Sequence, residues 1–456
     1  MGFSATGFEA ETKWLHFTDL PTVWRYSALE DVSEVFDCPH STPALTASGP
    51  YLARSQDIRT GVFRLEDAAR TSEETYKQRI ARAEPRHGDL LFSREGTYFG
   101  IAAEVPPRLR LCLGQRMVLL RPDSRSLSSR FLLYWLNSSV LGRYMQCLHD
   151  GSVAQRLNVS AIRRLPIPVP STKEQAYIAS ILGALDDKIE LNRQMSRTLE
   201  AMAQALFKSW FVDFDPVVAK AAGRQPFGLE ANAGDLFTDQ LRDVDDSSVP
   251  RGWDIGRIGD LLELTRTTVD PRDRPLEILR HYSIPAYDAS REPMLETGAL
   301  IRSNKYLVPD DVVLLSKLNP DIQRVWLPTS SPSDPVGAAS TEFLVCRPKP
   351  PTTREYLYSL FCTPSFRAEF GGLVSGTSNS HQRVKPPDFL KLKAVRPPDT
   401  VVMAFSKVTK PLLTRAAELA RESRGLGDQR DYLLPKLLSG EIRVRDAEKL
   451  AVSAGV

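Results

Sequence analysis

Two short segments in the first half of the chain carry polar side chains suited to hydrogen bonding with phosphates or base edges. The first follows an apolar run and contains a glycine. The second runs from Asp150 to Arg156, and its last two residues offer an amide and a guanidinium that match the edges of adenine and guanine. For any one of these residues, a solvated loop position explains the residue type equally well. As groups, they predict a nucleic-acid contact through Ser93, Arg94, Thr97, Gly151, Ser152, Gln155 and Arg156.

The second half of the chain offers a matching pair of segments. One follows the apolar run that ends at Leu315, and the other is the polar stretch from Gly376 to Arg383. Because the dipeptide Gln-Arg closes the second segment in both halves, it fits a structural anchor better than a source of differing specificity. The predicted contacts in this half are Ser316, Lys317, Asn319, Thr377, Ser378, His381, Gln382 and Arg383.

Motifs that would make the chain a catalyst are missing from the sequence. It has no Gly-x-x-x-x-Gly-Lys-Ser/Thr phosphate loop. Asn319-Pro320-Asp321-Ile322 lacks the aromatic residue that would stack a flipped base, so it predicts a turn. Residue Leu315 stands where a nuclease would need a carboxylate two residues before Lys317, and the six histidines have no metal-ligand spacing. We therefore expect no catalytic residue, no cofactor and no metal in this chain.

The paired segments belong to a larger internal repeat. Leu20-Pro21-Thr22-Val23-Trp24 returns as Val249-Pro250-Arg251-Gly252-Trp253, and Gln155-Arg156 returns as Gln382-Arg383, which is 227 residues later. A period of this length far exceeds the roughly 20 to 50 residues of a solenoid unit. It predicts a tandem duplication of two similar domains that perform the same task on different targets.

Composition places the chain among soluble globular proteins of several domains. It has 456 residues, 42% of them hydrophobic and 25% charged, with a net charge of +3. Five isolated cysteines suggest a reducing compartment, which predicts a cytoplasmic protein. We identify no signal peptide and no apolar run long enough to cross a membrane. Both repeats are mildly basic and rich in arginine, which suits phosphate binding, but the charge alone favours an ordinary solvated surface over nucleic-acid binding.

A long helix separates the repeats. Ser171-Thr172-Lys173-Glu174 is a capping box, and apolar residues then recur in steps of three and four through to about Trp210. Such a helix is roughly 50 Å long, more than one domain of this size needs in its core. Asn192 on the stripe is predicted either to fix the register or to lie at an exposed position. The residues assigned to helix pairing or partner docking are Ile178, Leu185, Ile189, Asn192, Leu199, Met202, Leu206, Trp210 and Phe211.

A second helical stripe follows the second repeat. It runs through Val401, Phe405, Val408, Leu412 and Leu419, with Pro411 predicting a kink or a late start. We expect the two stripes to pair as antiparallel helices, the alternative being that each packs on its own repeat. For Trp210 and Phe211, burial under the second repeat competes with docking of a partner. Two domains held apart by such a pair would form a ruler on the scale of one turn of B-DNA, about 34 Å.

These patterns predict an α+β fold with two similar globular domains separated by long antiparallel coiled-coil-like helices. The predicted boundaries give a leader and first module, a central helix, a linker, a second module, and a distal helix with the C-terminal tail. The leader and first module span residues 1–170, the central helix 171–215 and the linker 216–249. The second module spans 250–398, and the distal helix with the C-terminal tail spans 399–456.

Several ordered strings resemble the specificity subunits of type I restriction-modification systems. The stretch from Leu165 to Phe211 resembles their central conserved region, and the stretch from Leu433 to Ile442 resembles their C-terminal conserved region. Strings within each module, including Gly88 to Arg94 and Ser316 to Pro320, resemble their target-recognition domains. The resemblance covers nearly the whole chain, in order and twice.

The resemblance implies a non-catalytic subunit in which each target-recognition domain reads one half of a bipartite, asymmetric site in double-stranded DNA. The conserved helices would set the spacer and dock two methylation subunits, which bring S-adenosylmethionine and methylate adenine N6. Restriction subunits with a translocase motor and a nuclease would supply the chemistry that needs ATP and Mg²⁺, in defence against phage. The alternatives are a single-chain methyltransferase or nuclease, and a paired-module scaffold that binds protein instead of DNA.

Overall fold

The computed structural model divides the chain into two compact units. Unit 1 comprises residues 1–190 and 423–456, and unit 2 comprises residues 191–422. The structure describes residues 24–66, 68–96, 98–148, 155–225, 234–244, 247–330, 333–375, 382–438 and 440–442.

Unit 1 is built on a four-stranded antiparallel sheet and a smaller three-stranded sheet. The four strands lie in the order Ser33–Asp37, Met117–Pro122, Leu90–Ser93 and Ala102–Glu104. In the smaller sheet Thr46–Ala53 lies between Ala69–Arg70, to which it is antiparallel, and Leu111–Leu113, to which it is parallel. Two further pairs join Arg25–Ala28 with Pro166–Val169 and Ile58–Arg59 with Val62–Phe63.

A pair of helices in unit 1 packs on one face of the larger sheet. The segment that follows this sheet forms two helices, Ser129–Leu136 and Ser139–Leu148, which are separated at Asn137 and Ser138. The Asn137 side chain bonds both backbone groups of Ala102 at 3.0 Å, and Ser138 Oγ accepts from Leu141 N at 3.2 Å to cap the second helix. The shorter helices of this unit are Leu29–Val32, Ser55–Asp57, Glu73–Arg79, Ser129–Leu136, Ser139–Leu148 and Val159–Arg163.

Unit 2 repeats this plan with a larger second sheet. Its four-stranded antiparallel sheet has the order Leu262–Thr265, Phe343–Pro348, Val313–Ser316 and Val325–Trp326. The second sheet has five strands, in the order Thr268–Val269, Lys305–Val308, Gly337–Ala339, Ile278–Tyr282 and Met294–Thr297. The remaining strands pair as Leu241–Val244 with Ser247–Pro250, Asp254–Arg257 with Lys393–Arg396, and Val374–Ser375 with Arg383–Val384.

Short helices complete unit 2 in places that match those of unit 1. The helix pair after the four-stranded sheet, Arg354–Phe361 and Pro364–Gly372, corresponds to Ser129–Leu136 and Ser139–Leu148. Both units also contain one parallel strand pair beside the antiparallel sheet. The predicted α+β class is confirmed. The other short helices are Asp215–Ala221, Ile258–Leu261, Pro271–Asp273, Ile284–Ser290, Gly298–Leu300 and Pro386–Phe389.

Two 40-residue helices take part in both units: the central helix, Thr172–Phe211, and the distal helix, Asp399–Leu438. The predicted capping box is present, since Glu174 N donates to Ser171 Oγ at 3.3 Å and Ser171 N donates to Glu174 Oε2 at 3.0 Å. The distal helix starts at Asp399 and continues through Pro411, so the predicted late start is wrong.

Within unit 1 the first part of the central helix packs on the last part of the distal helix. The shared core contains the predicted residues Ile178, Leu185 and Ile189 together with Leu426 and Leu433. An ion pair joins the two helices at 2.8 Å between Arg430 Nη1 and Asp186 Oδ1. The other oxygen of Asp186 accepts the hydroxyl of Tyr134 at 2.8 Å, which ties the helices to the module.

Within unit 2 the rest of the central helix packs on the beginning of the distal helix. Ser196 Oγ donates to Ala416 O at 3.3 Å, and the rings of Phe207 and Phe405 lie 5.7 Å apart. Later residues of one helix thus meet earlier residues of the other, which confirms the antiparallel pairing.

After Asn192, the apolar residues predicted to lie in the helix contact are no longer the residues that are buried there. Met202 is 48% exposed, so its assignment to the helix pair is wrong, and Ala203 and Phe207 are buried there instead. Leu199 and Leu206 are half-buried. On the distal helix Val408 is exposed, and Thr409 takes the inward position with its hydroxyl bonded to Phe405 O. Small or polar residues therefore occupy positions that the sequence pattern assigned to larger apolar neighbours.

The segment predicted as a linker, 216–249, carries ordered elements of unit 2. It contains most of the helix Asp215–Ala221 and nearly all of the hairpin formed by Leu241–Val244 and Ser247–Pro250. Phe237 is 2% exposed and packs on Trp210 at 5.2 Å. This aromatic contact makes the segment part of the unit 2 core.

Asn192 is 1% exposed, and neither its side-chain nitrogen nor its oxygen has a partner among the described residues. A buried amide without partners costs about 1–3 kcal/mol. We expect Asn192→Leu to raise the free energy of unfolding by about that amount, measured by thermal or denaturant unfolding of the purified chain. Thr198→Leu, at an exposed position of the same helix, should change it by less than about 0.5 kcal/mol. A lower stability for Asn192→Leu would show that the amide has a stabilising role.

Candidate nucleic-acid interface

The two predicted contact segments of unit 1 lie side by side. Glu95 and Arg156 form an isolated antiparallel bridge. Gly96 N donates to Gln155 O at 3.2 Å, and Leu157 N donates to Arg94 O at 2.9 Å. The bridged residues are 61 positions apart in sequence, so the backbone itself brings the predicted polar side chains to one place. We call this arrangement the unit 1 bridge.

Unit 2 contains the same arrangement, which we call the unit 2 bridge. Leu318 pairs with Arg383, Asn319 N donates to Gln382 O at 2.9 Å, and Val384 N donates to Lys317 O at 3.0 Å. Every bond has its counterpart in the unit 1 bridge. The repeated Gln-Arg dipeptide supplies the carbonyl acceptor in both cases, so its glutamine backbone has a structural role in each module.

One backbone position in each bridge has a positive φ. Gly96 has φ +93° and Asn319 has φ +48°. Glycine adopts this region at no steric cost, and asparagine is among the few other residues that tolerate it. Ile322 N donates to Asn319 O at 2.9 Å, so the predicted turn at Asn319-Pro320 is confirmed. The two modules thus adopt the same backbone turn with a positive φ, one with glycine and the other with asparagine.

The serines that open each bridge are buried. Ser93 is 0% exposed and its hydroxyl faces Glu95 O at 3.5 Å, while Ser316 is 2% exposed and donates to Leu318 O at 3.1 Å. Each serine ends a strand on its inward face and closes the turn that follows. This burial contradicts a contact of the Ser93 and Ser316 side chains with DNA. The contact through backbone amides, which the sequence also allows in the first module, stays a prediction.

The remaining side chains of the unit 1 bridge differ in their exposure and in their hydrogen-bond partners. Gln155 Nε2 donates to Gln146 Oε1 at 2.5 Å, which fixes the glutamine on the helix Ser139–Leu148. The Arg94 side chain is 13% exposed, and its Nη2 atom lies 3.9 Å from the Asp37 carboxylate. Arg156 is exposed. A nucleic acid would therefore meet Arg156 first, while Arg94 is largely covered.

In unit 2 the corresponding arginine is paired. Arg383 Nε and Nη2 donate to the two oxygens of Glu342 at 3.0 and 2.9 Å, and the side chain is 46% exposed. The hydrogen bonds to this carboxylate raise the pKa of Arg383 above its usual value. Lys317 is half-buried, and Asn319 Oδ1 is buried without a partner among the described residues. The bridges thus present different charges on the same backbone.

Six of the predicted contact residues lie outside the described residues. In the first half of the chain these are Thr97, Gly151 and Ser152, and in the second half Thr377, Ser378 and His381. They remain predictions. Among the described residues, no group of three histidine, cysteine, aspartate or glutamate side chains could hold a metal ion. No helix of the described ranges has the length and hydropathy to cross a membrane.

Beside each bridge lies a recess that the sequence did not reveal. In unit 1 its volume is about 200 Å³, and its lining includes Gly100, Gly142 and Met145. In unit 2 the recess has only about 10 Å³, and its lining includes Phe361, Phe366 and Phe370. The sequence reasoning also missed Arg59, which lies over the ring of Tyr98 next to the unit 1 bridge. These residues carry no recognisable motif, and only the fold brings them beside the bridge.

The aromatic residues at the end of the central helix are core residues of unit 2. Trp210 is 3% and Phe211 is 5% exposed. The Phe211 ring lies 5.1 Å from those of both Tyr356 and Phe405. Their contact with the distal helix agrees with helix pairing, but their burial contradicts the prediction that they dock a partner. The alternative, burial under the second module, is the one observed.

Comparisons with known proteins agree with this architecture. Residues 21–201 match the family model of the type I restriction modification DNA specificity domain. The specificity subunit of the type I restriction enzyme MjaIX of Methanocaldococcus jannaschii is 23% identical over 463 residues, covering 96% of this chain and 98% of that protein. The HindI specificity subunit of Haemophilus influenzae is 24% identical over 410 residues, covering 78% and 87%.

A solved structure shares the fold. The S subunit of a type I restriction-modification system from M. genitalium aligns with a TM-score of 0.53 and 14% identity, covering 92% of this chain and 96% of that one. The alignment with the MjaIX subunit extends over both modules of this chain. Each of these modules contains one of the two bridges. Over nearly its whole length the chain is similar to specificity subunits of type I restriction-modification systems, and residues 21–201 match the family model of a DNA specificity domain.

Proposed function

We propose that this chain reads a bipartite, asymmetric site in double-stranded DNA, with one half-site per module, and that it catalyses no reaction itself. The observation that carries the proposal is the recurrence of one backbone bridge in both units, with the same donors and acceptors and different exposed side chains. A shared scaffold with differing side chains is what two readers of different sequences require, because phosphate contacts position a protein and base contacts specify the sequence.

The bridges carry side chains with the chemistry for both kinds of contact. Arg156 presents a guanidinium in unit 1 that can bind phosphate or guanine. In unit 2 the Glu342 carboxylate competes for the Arg383 guanidinium. Binding of a phosphate at Arg383 therefore requires this ion pair to break, whereas a cytosine amino group could donate directly to Glu342. The two modules thus favour different base patterns.

The long helices are proposed to dock two methylation subunits. On the part of the central helix in unit 2, Leu191, Met195 and Met202 are 51%, 41% and 48% exposed. Their spacing of four and seven residues places them on one face of the helix, turned away from the buried stripe. Exposed apolar residues in such a row fit a protein partner. By family likeness, these partners bring S-adenosylmethionine and methylate adenine N6.

Restriction subunits are proposed to join the same complex in the cytoplasm. They would supply the translocase and nuclease that use ATP and Mg²⁺, and the whole complex would defend the cell against phage. This assignment rests on the family and on no residue of the chain itself. The distance between the half-sites is proposed to depend on the paired helices, because each unit contains a segment of both.

The first test separates recognition from catalysis. We expect the purified chain with S-adenosylmethionine to transfer no methyl group to DNA. Together with its methylation subunit, it should shift DNA in an electrophoretic assay and methylate adenine at one bipartite sequence, identified by methylome sequencing. Robust methylation by the chain alone would identify it as an enzyme. A complex that shifts no DNA would instead favour the scaffold that binds only protein.

The second test concerns the spacer. We insert four helix-forming residues after Ile189 in the central helix and four after Glu422 in the distal helix, at the boundary between the units. Four residues add roughly 6 Å of helix and keep the stripes nearly in phase. Because base pairs are about 3.4 Å apart, the preferred spacer should lengthen by one or two base pairs, with both half-sites unchanged in methylome sequencing.

A matched variant with two residues inserted at each position controls for length. Two residues rotate the following segment by about 200°, which turns the stripe of each helix away from its partner, so this variant should lose assembly. An active four-residue variant with an unchanged spacer would show that the helices do not set the distance.

A further inference from the structure

A hairpin in unit 1 stands in the position that a helix occupies in unit 2. In unit 1 the paired strands Ile58–Arg59 and Val62–Phe63 follow Thr46–Ala53 and precede the edge strand Ala69–Arg70. In unit 2 the helix Ile284–Ser290 connects the corresponding strands, Ile278–Tyr282 and Met294–Thr297. Half-sites of different sequence require differences beside the shared bridge, and this hairpin is such a difference.

The hairpin is fixed to the strand that leaves the unit 1 bridge. Gly61 N donates to Ala102 O at 2.9 Å, and Gly61 forms a parallel bridge with Ala103. Gly61 has φ +82°, a conformation that suits glycine in this tight turn. The hairpin therefore keeps a defined position relative to the segment that contains Arg94 and Gly96.

The base of the hairpin is held by an ion pair whose carboxylate is buried. Asp57 is 0% exposed, and its two carboxylate oxygens each accept from the Arg54 guanidinium at 2.8 Å. Arg64 N, at the far end of the hairpin, donates to Asp57 O at 2.8 Å. Both ends of the hairpin thus contact Asp57, which fixes the position of the turn between them.

The Arg59 side chain, which belongs to this hairpin, is held in place by its neighbours. Its Cζ atom lies 4.1 Å from the centroid of the Tyr98 ring, two residues after Gly96 in the bridge. Nη1 donates to the carbonyls of Gln56 and Ile58 at 3.0 and 2.8 Å. Among the described residues, these two carbonyls are its acceptors, which leaves Nε and Nη2 for a ligand. A guanidinium fixed in advance loses little conformational entropy on binding.

We propose that Arg59, oriented by Tyr98, reads a guanine in the half-site bound by the first module. This inference rests on the proposed function. The free donors form one edge of a planar fork, and such a fork matches the O6 and N7 acceptors of guanine in the major groove. The Tyr98 ring fixes the plane of the guanidinium, so Tyr98 is the positioning residue. Unit 2, with a helix in the hairpin's place, would read its half-site by other groups.

The test uses the complex of this chain with its methylation subunits. Methylome sequencing first identifies the site. Equilibrium binding then compares duplexes in which each base pair of both half-sites is replaced in turn. Arg59→Lys retains the charge and loses the fork, and Arg59→Gln retains a donor and loses the charge. In both variants discrimination should fall roughly 10- to 100-fold at one G·C pair of the first module's half-site and stay unchanged elsewhere.

Arg110→Lys is the matched control. Arg110 also lies over a tyrosine of unit 1, Tyr76 at 4.8 Å, but Glu73 occupies its fork at 2.7 Å. This control should alter discrimination at no position. Unchanged discrimination in both Arg59 variants would overturn the proposal, as would uniform weakening on every duplex, which indicates a phosphate contact. Failure of both variants to fold would overturn it too, since Arg59 would then be a structural clamp. If the unsubstituted complex discriminates at no position, the proposed function itself fails.

Discussion

Each module depends on a backbone bridge that ties two distant loop segments together. Main-chain N–H and C=O groups must find partners when they leave water, and here they find them in each other. Because the bonds run from backbone to backbone, they do not dictate the side chains that the segments carry. Ser93 and Ser316 close the adjoining turns from inside, and Gly96 and Asn319 supply the positive φ. The outward-facing residues are left to vary, which the proposed reading of two different sequences requires.

The two units differ in the elements and charges that lie beside the bridge. In unit 1 a hairpin and an open recess flank the bridge, whereas in unit 2 a helix and a cluster of phenylalanines take their places. Charge differs as well, since Arg156 is exposed and Arg383 is bound to Glu342. The two units therefore differ beside their shared bridge as well as in the size of their second sheet.

Much of this architecture could be predicted from the sequence because its signals are local or repeated. The capping box at Ser171 and Glu174 depends on two residues three positions apart, and the repeat of Gln-Arg is visible by inspection. The helix seam could not be followed beyond Asn192, because Ala203 and Thr409 fill close contacts where the pattern favoured Met202 and Val408. Burial of Trp210 and Phe211 depends on rings from distant segments, such as Tyr356, so a single helix cannot reveal it. The hairpin that bears Arg59 has two-residue strands, which are too short to produce a pattern.

The central claim is that each bridged module reads its own half-site on a common scaffold. The most direct measurement is methylome sequencing of cells in which residues 250–398 are replaced by the equivalent module of another specificity subunit. The account predicts that one half of the methylated sequence changes to that of the donor, while the other half and the spacer stay the same. A change in both halves together would contradict it, because the two modules would then not be independent readers.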